Sequence, residues 1–297
     1  TIATNTSTSS INYIAKSAGS AINPNIIGQS SVPLPGYIVL DNTYGSASGA
    51  RASGYITSSN ASTLATASAG ITISTSNALY AKNDITINGV SSAAQGVYTL
   101  AGITSTTGNI VISGSTVSAS QGINFGGAII ANAGDVTLTG ATTNGYGVYA
   151  GTFAITGNNI TILGTSTAAP TWVVYLGAMT INSASVGGSI SVTGNVVNLP
   201  DSSNGIYQVG AITGVSGTNI TFTSNNIINQ AGAISLVANT SGSASTITYD
   251  TTSGTKGSNI TSGALTIATN TSTSAMNYIA KSAGSAINPY IIGQSSV

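Results

Sequence analysis

From residue 83 onward the chain alternates branched apolar residues with small polar ones in short bursts: "NDITING", "GNIVISG", "GDVTLTG", "NNITILG", "GSISVTG" and "TNITFTS". Their first branched residues are Ile85, Ile110, Val136, Ile160, Ile190 and Ile220, at separations of 25, 26, 24, 30 and 30. A period of two inside each burst predicts a strand with one buried face. On this reading Ile85 and Ile87, Ile110 and Ile112, and Val136 and Leu138 point inward, while Thr86, Val111, Thr137, Thr161, Ser191 and Thr221 form one outward column. Helix signals are nearly absent, because a chain rich in Thr, Ile, Val, Gly and Asn has poor helix propensity throughout.

Each of the first five bursts is followed by an aromatic residue, Tyr98, Phe125, Tyr149, Tyr175 or Tyr207, and then by a third short apolar run such as "AGIT" or "GAMTI". Three short strands per unit predict an all-β fold, a parallel β-helix or β-solenoid with 24–30 residues per turn. Its turns stack at the inter-strand spacing of about 4.8 Å. The aromatics then form one column, and the polar position ahead of each strand forms another: Asp84, Asn109, Asp135, Asn159, Ser189 and Asn219. Asx side chains tolerate the left-handed backbone of a corner and can bond to the turn above, so this column reads as a structural ladder. Its two carboxylates, Asp84 and Asp135, fall two turns apart, about 10 Å along the axis, which is wide for a catalytic pair.

A second, longer period encloses the first. Residues 266–297 repeat residues 1–32 at 29 of 32 positions, differing only at Ser10/Ala275, Ile11/Met276 and Asn25/Tyr290. The chain therefore reads as one tandem unit of 265 residues followed by the start of the next. Residues 1–40 open one repeat with a solenoid turn, 41–69 are an inserted loop or hairpin protruding from the solenoid, 70–265 are solenoid turns and 266–297 open the next repeat. Aligning the boundary phrase with the bursts places Leu265 on Ile85 and Tyr278 on Tyr98, and the same spacing brings Tyr13 into the aromatic column. The core is expected to run unbroken through the junction. The insertion carries Tyr44, Arg51 and Tyr55, which are candidates for lateral contact, although it reads equally well as a tolerated surface insertion.

Composition then narrows the function. Of 297 residues only ten are charged, five Lys or Arg and five Asp, with no His and no Cys. Nucleic-acid binding is excluded as a partner class because no basic cluster exists to release counterions. Missing Cys removes disulfides, thiolate metal sites and thiol catalysis together, and suits a chain that crosses membranes unfolded. No apolar run approaches the 18 or so residues of a membrane-spanning helix, and a transmembrane barrel needs longer strands with aromatic girdles. No membrane insertion of this segment is expected. Nor is any cofactor or metal: the calcium-binding nonapeptide repeat does not occur and no Asp cluster offers six to eight oxygens. General acid–base catalysis needs tuned groups within reach of one substrate, and the five Asp are scattered, so no enzyme activity is expected. The seven Asn-x-Ser/Thr sequons, at Asn5, Asn60, Asn159, Asn219, Asn239, Asn259 and Asn270, are what such a composition produces by itself.

The recurrent "GNIxIxG" and "NNITIxG" phrases, the Ser/Thr/Asn/Gly bias and the lack of Cys resemble the filamentous-haemagglutinin-like β-helical exoproteins of two-partner secretion and the related autotransporter passengers. The resemblance spans residues 70–297. It implies a right-handed parallel β-helix, export through an outer-membrane pore, and a secreted or cell-surface fibre or adhesin of a Gram-negative bacterium. Neighbouring repeats of the same polypeptide, and neighbouring filaments, are the expected partners. Two other readings stay open: an adhesin stalk or binding module for host or glycan ligands, and an ice-binding solenoid built on the outward Thr column, which Val111 and Leu163 interrupt.

Overall fold

The computed structural model describes residues 10–14, 37–41, 54–56, 71–73, 79–91, 94–151, 154–168, 171–181, 187–197, 204–215, 217–237, 244–251, 259–267, 275–279 and 287–291. Among them every regular element is a strand. The chain enters through β1 (Ser10–Ile14), β2 (Tyr37–Asp41), β3 (Gly54–Ile56), β4 (Ile71–Ile73) and β5 (Leu79–Ala81). Six coils of three strands follow, each a long strand and two short ones. They are β6 (Ile85–Ser91), β7 (Val97–Thr99) and β8 (Ile103–Ser105); β9 (Ile110–Thr116), β10 (Ile123–Phe125) and β11 (Ile129–Ala131); then β12 (Val136–Thr142), β13 (Val148–Ala150) and β14 (Ile155–Gly157). Next come β15 (Asn159–Ser166), β16 (Trp172–Leu176) and β17 (Met179–Ile181); β18 (Ser189–Val196), β19 (Asn204–Gln208) and β20 (Ile212–Val215); and β21 (Asn219–Ser224), β22 (Ile227–Gln230) and β23 (Ile234–Val237). The last four are β24 (Thr246–Asp250), β25 (Ile260–Ile267), β26 (Ala275–Ile279) and β27 (Ile287–Ile291).

A first sheet stacks in the order β1-β2-β6-β9-β12-β15-β18-β21-β24-β26, and the remaining strands, the eight-residue β25 among them, form a second sheet. Every pairing given above is parallel, as stacked coils require, because each strand returns to the same face after one turn. The β-solenoid expected from the period is therefore the fold. Its lead positions stack as Ile85, Ile110, Val136, Ile160, Ile190 and Ile220, and the column continues to Ile247. Those seven side chains are buried, as are Ile87, Ile112, Leu138, Ile162, Val192, Phe222 and Tyr249 two residues on. Alternation of buried and half-buried positions along β9 and β12 is the period of two realised in space.

Two expectations about the chain's path need correcting. Leu265 does not lie on Ile85: β25 pairs with β22 and β23, placing Leu265 against Ile234 in the second sheet. The burst "TITYD" had already supplied that coil's long strand, with Ile247 on Ile220, so the boundary phrase arrives one face later. The strand stacking continues into the repeated phrase, with β26 on β24 and β27 on β25. The second correction concerns Tyr55. It lies in β3, which pairs in register with β4 as Tyr55 to Thr72, so this part of the insertion is a rung of the second sheet. Tyr44 and Arg51 lie outside the described residues.

Candidate functional site

The polar column ahead of the long strands is a hydrogen-bonded ladder running up one corner. Asp84 Oδ1 accepts from the Asn109 backbone N–H at 2.7 Å, Asn109 Oδ1 from Asp135 N–H at 2.9 Å, and Asp135 Oδ1 from Asn159 N–H at 3.1 Å. Asn159 Oδ1 then accepts from both the backbone N–H and the hydroxyl of Ser189, and Asn219 Oδ1 from Thr246 N–H at 3.1 Å. At Ser189 the pattern changes hands, because the Asn219 N–H donates to the Gly188 carbonyl. The side-chain ladder thus runs from Asp84 to Ser189, is interrupted there, and resumes from Asn219 to Thr246. Its cause differs from the expectation: among the described residues no non-glycine has a positive φ, so no left-handed corner is being tolerated. What the position needs is one side-chain oxygen aimed at the next coil's amide, and Asp and Asn supply it equally. Asn109 is exposed, so water competes for the same amide.

The aromatic column is only partly as read. Register runs Thr72, Tyr98, Asn124, Tyr149, Tyr175, Tyr207, Asn229 and Thr261. Phe125 is one residue beyond the column and buried, because a shift of one position turns a strand residue to the opposite face. Tyr13 and Tyr278 belong to the first sheet instead, Tyr13 in register with Leu40 and Tyr278 with Tyr249. The half-buried rings that do share the outer surface pack on one another. Tyr149 stacks on Tyr175 at 4.9 Å between centroids, Trp172 stacks on Tyr207 at 4.5 Å, and Tyr146 meets Tyr149 edge-on at 5.3 Å. Burial and then the neighbouring Tyr149 and Tyr175 push the Tyr146 phenol above its usual pKa.

A glycine ladder is the feature that the sequence reading passed over. Gly89, Gly114, Gly140, Gly164 and Gly194 stack in register four residues after each lead position. A Cβ on Gly114 would sit 2.1 Å from the Gly122 carbonyl oxygen, and one on Gly140 would sit 1.8 Å from that of Gly147. Here the long strand passes so close to the start of the second sheet that a side chain has no room. The repeated final G of "TING", "VISG" and "TLTG" was the available signal.

Among the described residues no group of three or more His, Cys, Asp or Glu could hold a metal, and no helix is long and apolar enough to cross a membrane. The outward residues Thr86, Val111, Thr137, Thr161, Ser191, Thr221 and Thr248 do form one column. No protein family, curated protein or solved structure matches the chain.

Proposed function

We propose that this chain is a structural repeat of a secreted or cell-surface fibre, a long β-solenoid filament of the kind that Gram-negative bacteria export, with no catalytic role. The observation that carries the reading is the stacking of β26 on β24 and of β27 on β25 inside the duplicated phrase, which lets one unit's core lead into the next. Consistent with it, the ladder carboxylates of Asp84 and Asp135 are engaged by backbone amides, and the chain holds no Cys to oxidise after export. Antibodies to this segment, applied to intact producing cells under the electron microscope, test the proposal. Labelled thin unbranched fibres are expected; labelling confined to permeabilised cells contradicts it.

A second reading, a binding module within such a fibre, is favoured by the outer cluster of Tyr146, Tyr149, Trp172, Tyr175 and Tyr207. A glycan array probed with the chain and with its Trp172→Ala variant separates the two. Binding lost in the variant supports recognition, and an empty array leaves the structural role.

A further inference from the structure

We propose that Tyr149 and Tyr175 form an oxidative modification site, at which hydrogen peroxide acting through a haem peroxidase couples the two phenols into a dityrosine that ties one coil to the next. The site is independent of the fibre reading, since it needs only the packing of two neighbouring coils.

Geometry selects this pair. Tyr149 in β13 and Tyr175 in β16 are register partners, so their rings leave the second sheet at the same point of successive coils. They stack at 4.9 Å between centroids with planes 18° apart. That separation matches the rung spacing of about 4.8 Å, so the carbons ortho to one hydroxyl lie over those ortho to the other. Both residues are half-buried on the outer surface, within reach of an oxidant from solvent. Other contacts of the cluster suit coupling less. Tyr146 meets Tyr149 at 65°, and Tyr175 is tilted by 59° from Tyr207, on which the Trp172 ring is stacked. Tyr98 shares the column, but the Asn124 rung lies between it and Tyr149, a separation of about 10 Å.

An inner pair sets the contrast. Tyr249 stacks on Tyr278 at the same 4.9 Å with planes 9° apart, yet Tyr249 is fully buried and its hydroxyl donates to Gln230 Oε1. Both pairs have the stacking; access of an oxidant to both rings belongs to the outer one.

The coupling balances. Each phenol gives up one electron and its O–H proton, leaving a phenoxyl radical with spin on the carbons ortho to oxygen. A bond forms between an ortho carbon of Tyr149 and one of Tyr175. Those two carbons then lose their hydrogens as protons and the two oxygens each take up a proton, restoring both aromatic phenols. In sum two hydrogen atoms leave, and one hydrogen peroxide is reduced to two waters. The rings must tilt for the carbons to meet, which a half-exposed tyrosine does about its soft χ2 torsion. With no Cys the chain has no disulfide to brace its coils, and a 149–175 link would constrain the unfolded chain in the same way.

The test treats the intact chain with hydrogen peroxide and a haem peroxidase, at a dilution where chains do not couple to one another. Dityrosine fluorescence should appear while the chain keeps the mass of a monomer. No Lys or Arg lies between the two tyrosines, so thermolysin is used for peptide mapping. The main cross-linked pair should hold Tyr149 and Tyr175 and weigh two hydrogens less than the separate peptides. Tyr149→Phe and Tyr175→Phe keep the rings and should each lose most of the fluorescence, whereas Tyr98→Phe and Tyr249→Phe should retain it. Oxidation should also raise the denaturation midpoint of the parent chain and not that of Tyr175→Phe. Fluorescence that survives in both outer variants, a main link between other tyrosines, or no dityrosine in a reaction that couples free tyrosine overturns the site. A linked chain with an unchanged midpoint overturns the bracing.

Discussion

β21 and β24 each place an aromatic ring one coil after a buried glutamine, and at those paired positions the two differ by one hydroxyl. Phe222 and Tyr249 are register partners, both fully buried and stacked at 5.2 Å between ring centroids. Gln208 and Gln230 are likewise register partners, both fully buried, and each donates from Nε2 to a glycine carbonyl two residues on. In the later coil Tyr249 donates to Gln230 Oε1 at 2.7 Å, and the Gly263 N–H reaches the same oxygen at 3.1 Å. In the earlier coil Phe222 has no hydroxyl, and Gln208 Oε1, one coil before it, is buried without a partner. One coil further on the pairing returns in another form, with Tyr278 and Ser262 sharing a hydrogen bond of 2.9 Å. A repeat can thus change its core from the aliphatic Ile112, Leu138, Ile162 and Val192 to aromatic residues, provided that each phenol finds a partner across the interior.

The largest expected effect concerns the corner that the aliphatic coils share and the aromatic ones give up. Gly194 is in register with Ser224, so a side chain is tolerated at the later rung, where Ser224 Oγ donates to the Gly194 carbonyl at 2.6 Å. Gly140→Ser should instead lower stability by about 3 kcal/mol, because its Cβ would meet backbone that cannot yield. Chemical denaturation compares it with Ser224→Gly, whose smaller loss would confirm that the two rungs differ in space.

Next in size is the buried phenol itself. Tyr249→Phe should cost about 1–2 kcal/mol by removing a buried hydrogen bond. It should also change the response to alkali. Burial first, and then the neighbouring Tyr278, push the Tyr249 phenol far above its ordinary pKa of 10.0. Its folded-state pKa is raised, so its contribution to stability is intact below about pH 10 and falls as the pH rises beyond that, where only the unfolded chain ionises. Thermal melts of the parent chain should therefore drop above about pH 10, and the variant's drop should be shallower. Some slope should remain, since burial raises the Tyr278 and Tyr146 phenols as well. Equal slopes would mean that Tyr249 is solvated.

The converse substitution sharpens the comparison most. Phe222→Tyr should give Gln208 Oε1 the partner that Gln230 Oε1 already has, raising stability by about 1 kcal/mol. A loss of similar size in the denaturation midpoint would show that the earlier coil has no room for the hydroxyl. The smallest effect belongs to the outer ladder. Asn109→Leu should cost about 0.5 kcal/mol, because water can reach the Asp135 amide it leaves, and Asp135→Asn should be close to neutral since the accepting oxygen stays.

Much of this architecture was legible in the sequence for a physical reason: a stacked coil must repeat its inward residues, so Ile85, Ile110 and Val136 advertise both strand and period. The Asp84-to-Ser189 part of the ladder was legible in the same way. Where coils change length or content the signal failed. A count of residues to the next aromatic could not distinguish Phe125 from Asn124, though one position decides which face a side chain takes. The phrase around Leu265 alternates like a long strand yet belongs to the second sheet, because only the full path of the chain shows that Ile247 and Tyr249 had filled the first. Nothing in the sequence pattern marks Gln208 and Gln230 as buried. Their burial follows from the partners that the glycines and Tyr249 bring to them.

The central claim is that equivalent positions stack at a constant rise and that this continues into the duplicated phrase. Thr86, Val111, Thr137, Thr161, Ser191, Thr221, Thr248 and Asn277 form one register column. Spin labels on cysteines introduced at positions 86 and 221, and at 86 and 277, measure it directly by pulsed electron paramagnetic resonance. The account predicts narrow distributions centred near 24 Å and 34 Å, five and seven rungs at about 4.8 Å each. A broad 86–277 distribution beside a narrow 86–221 one would contradict it, by placing a hinge between the last coil and the repeated phrase.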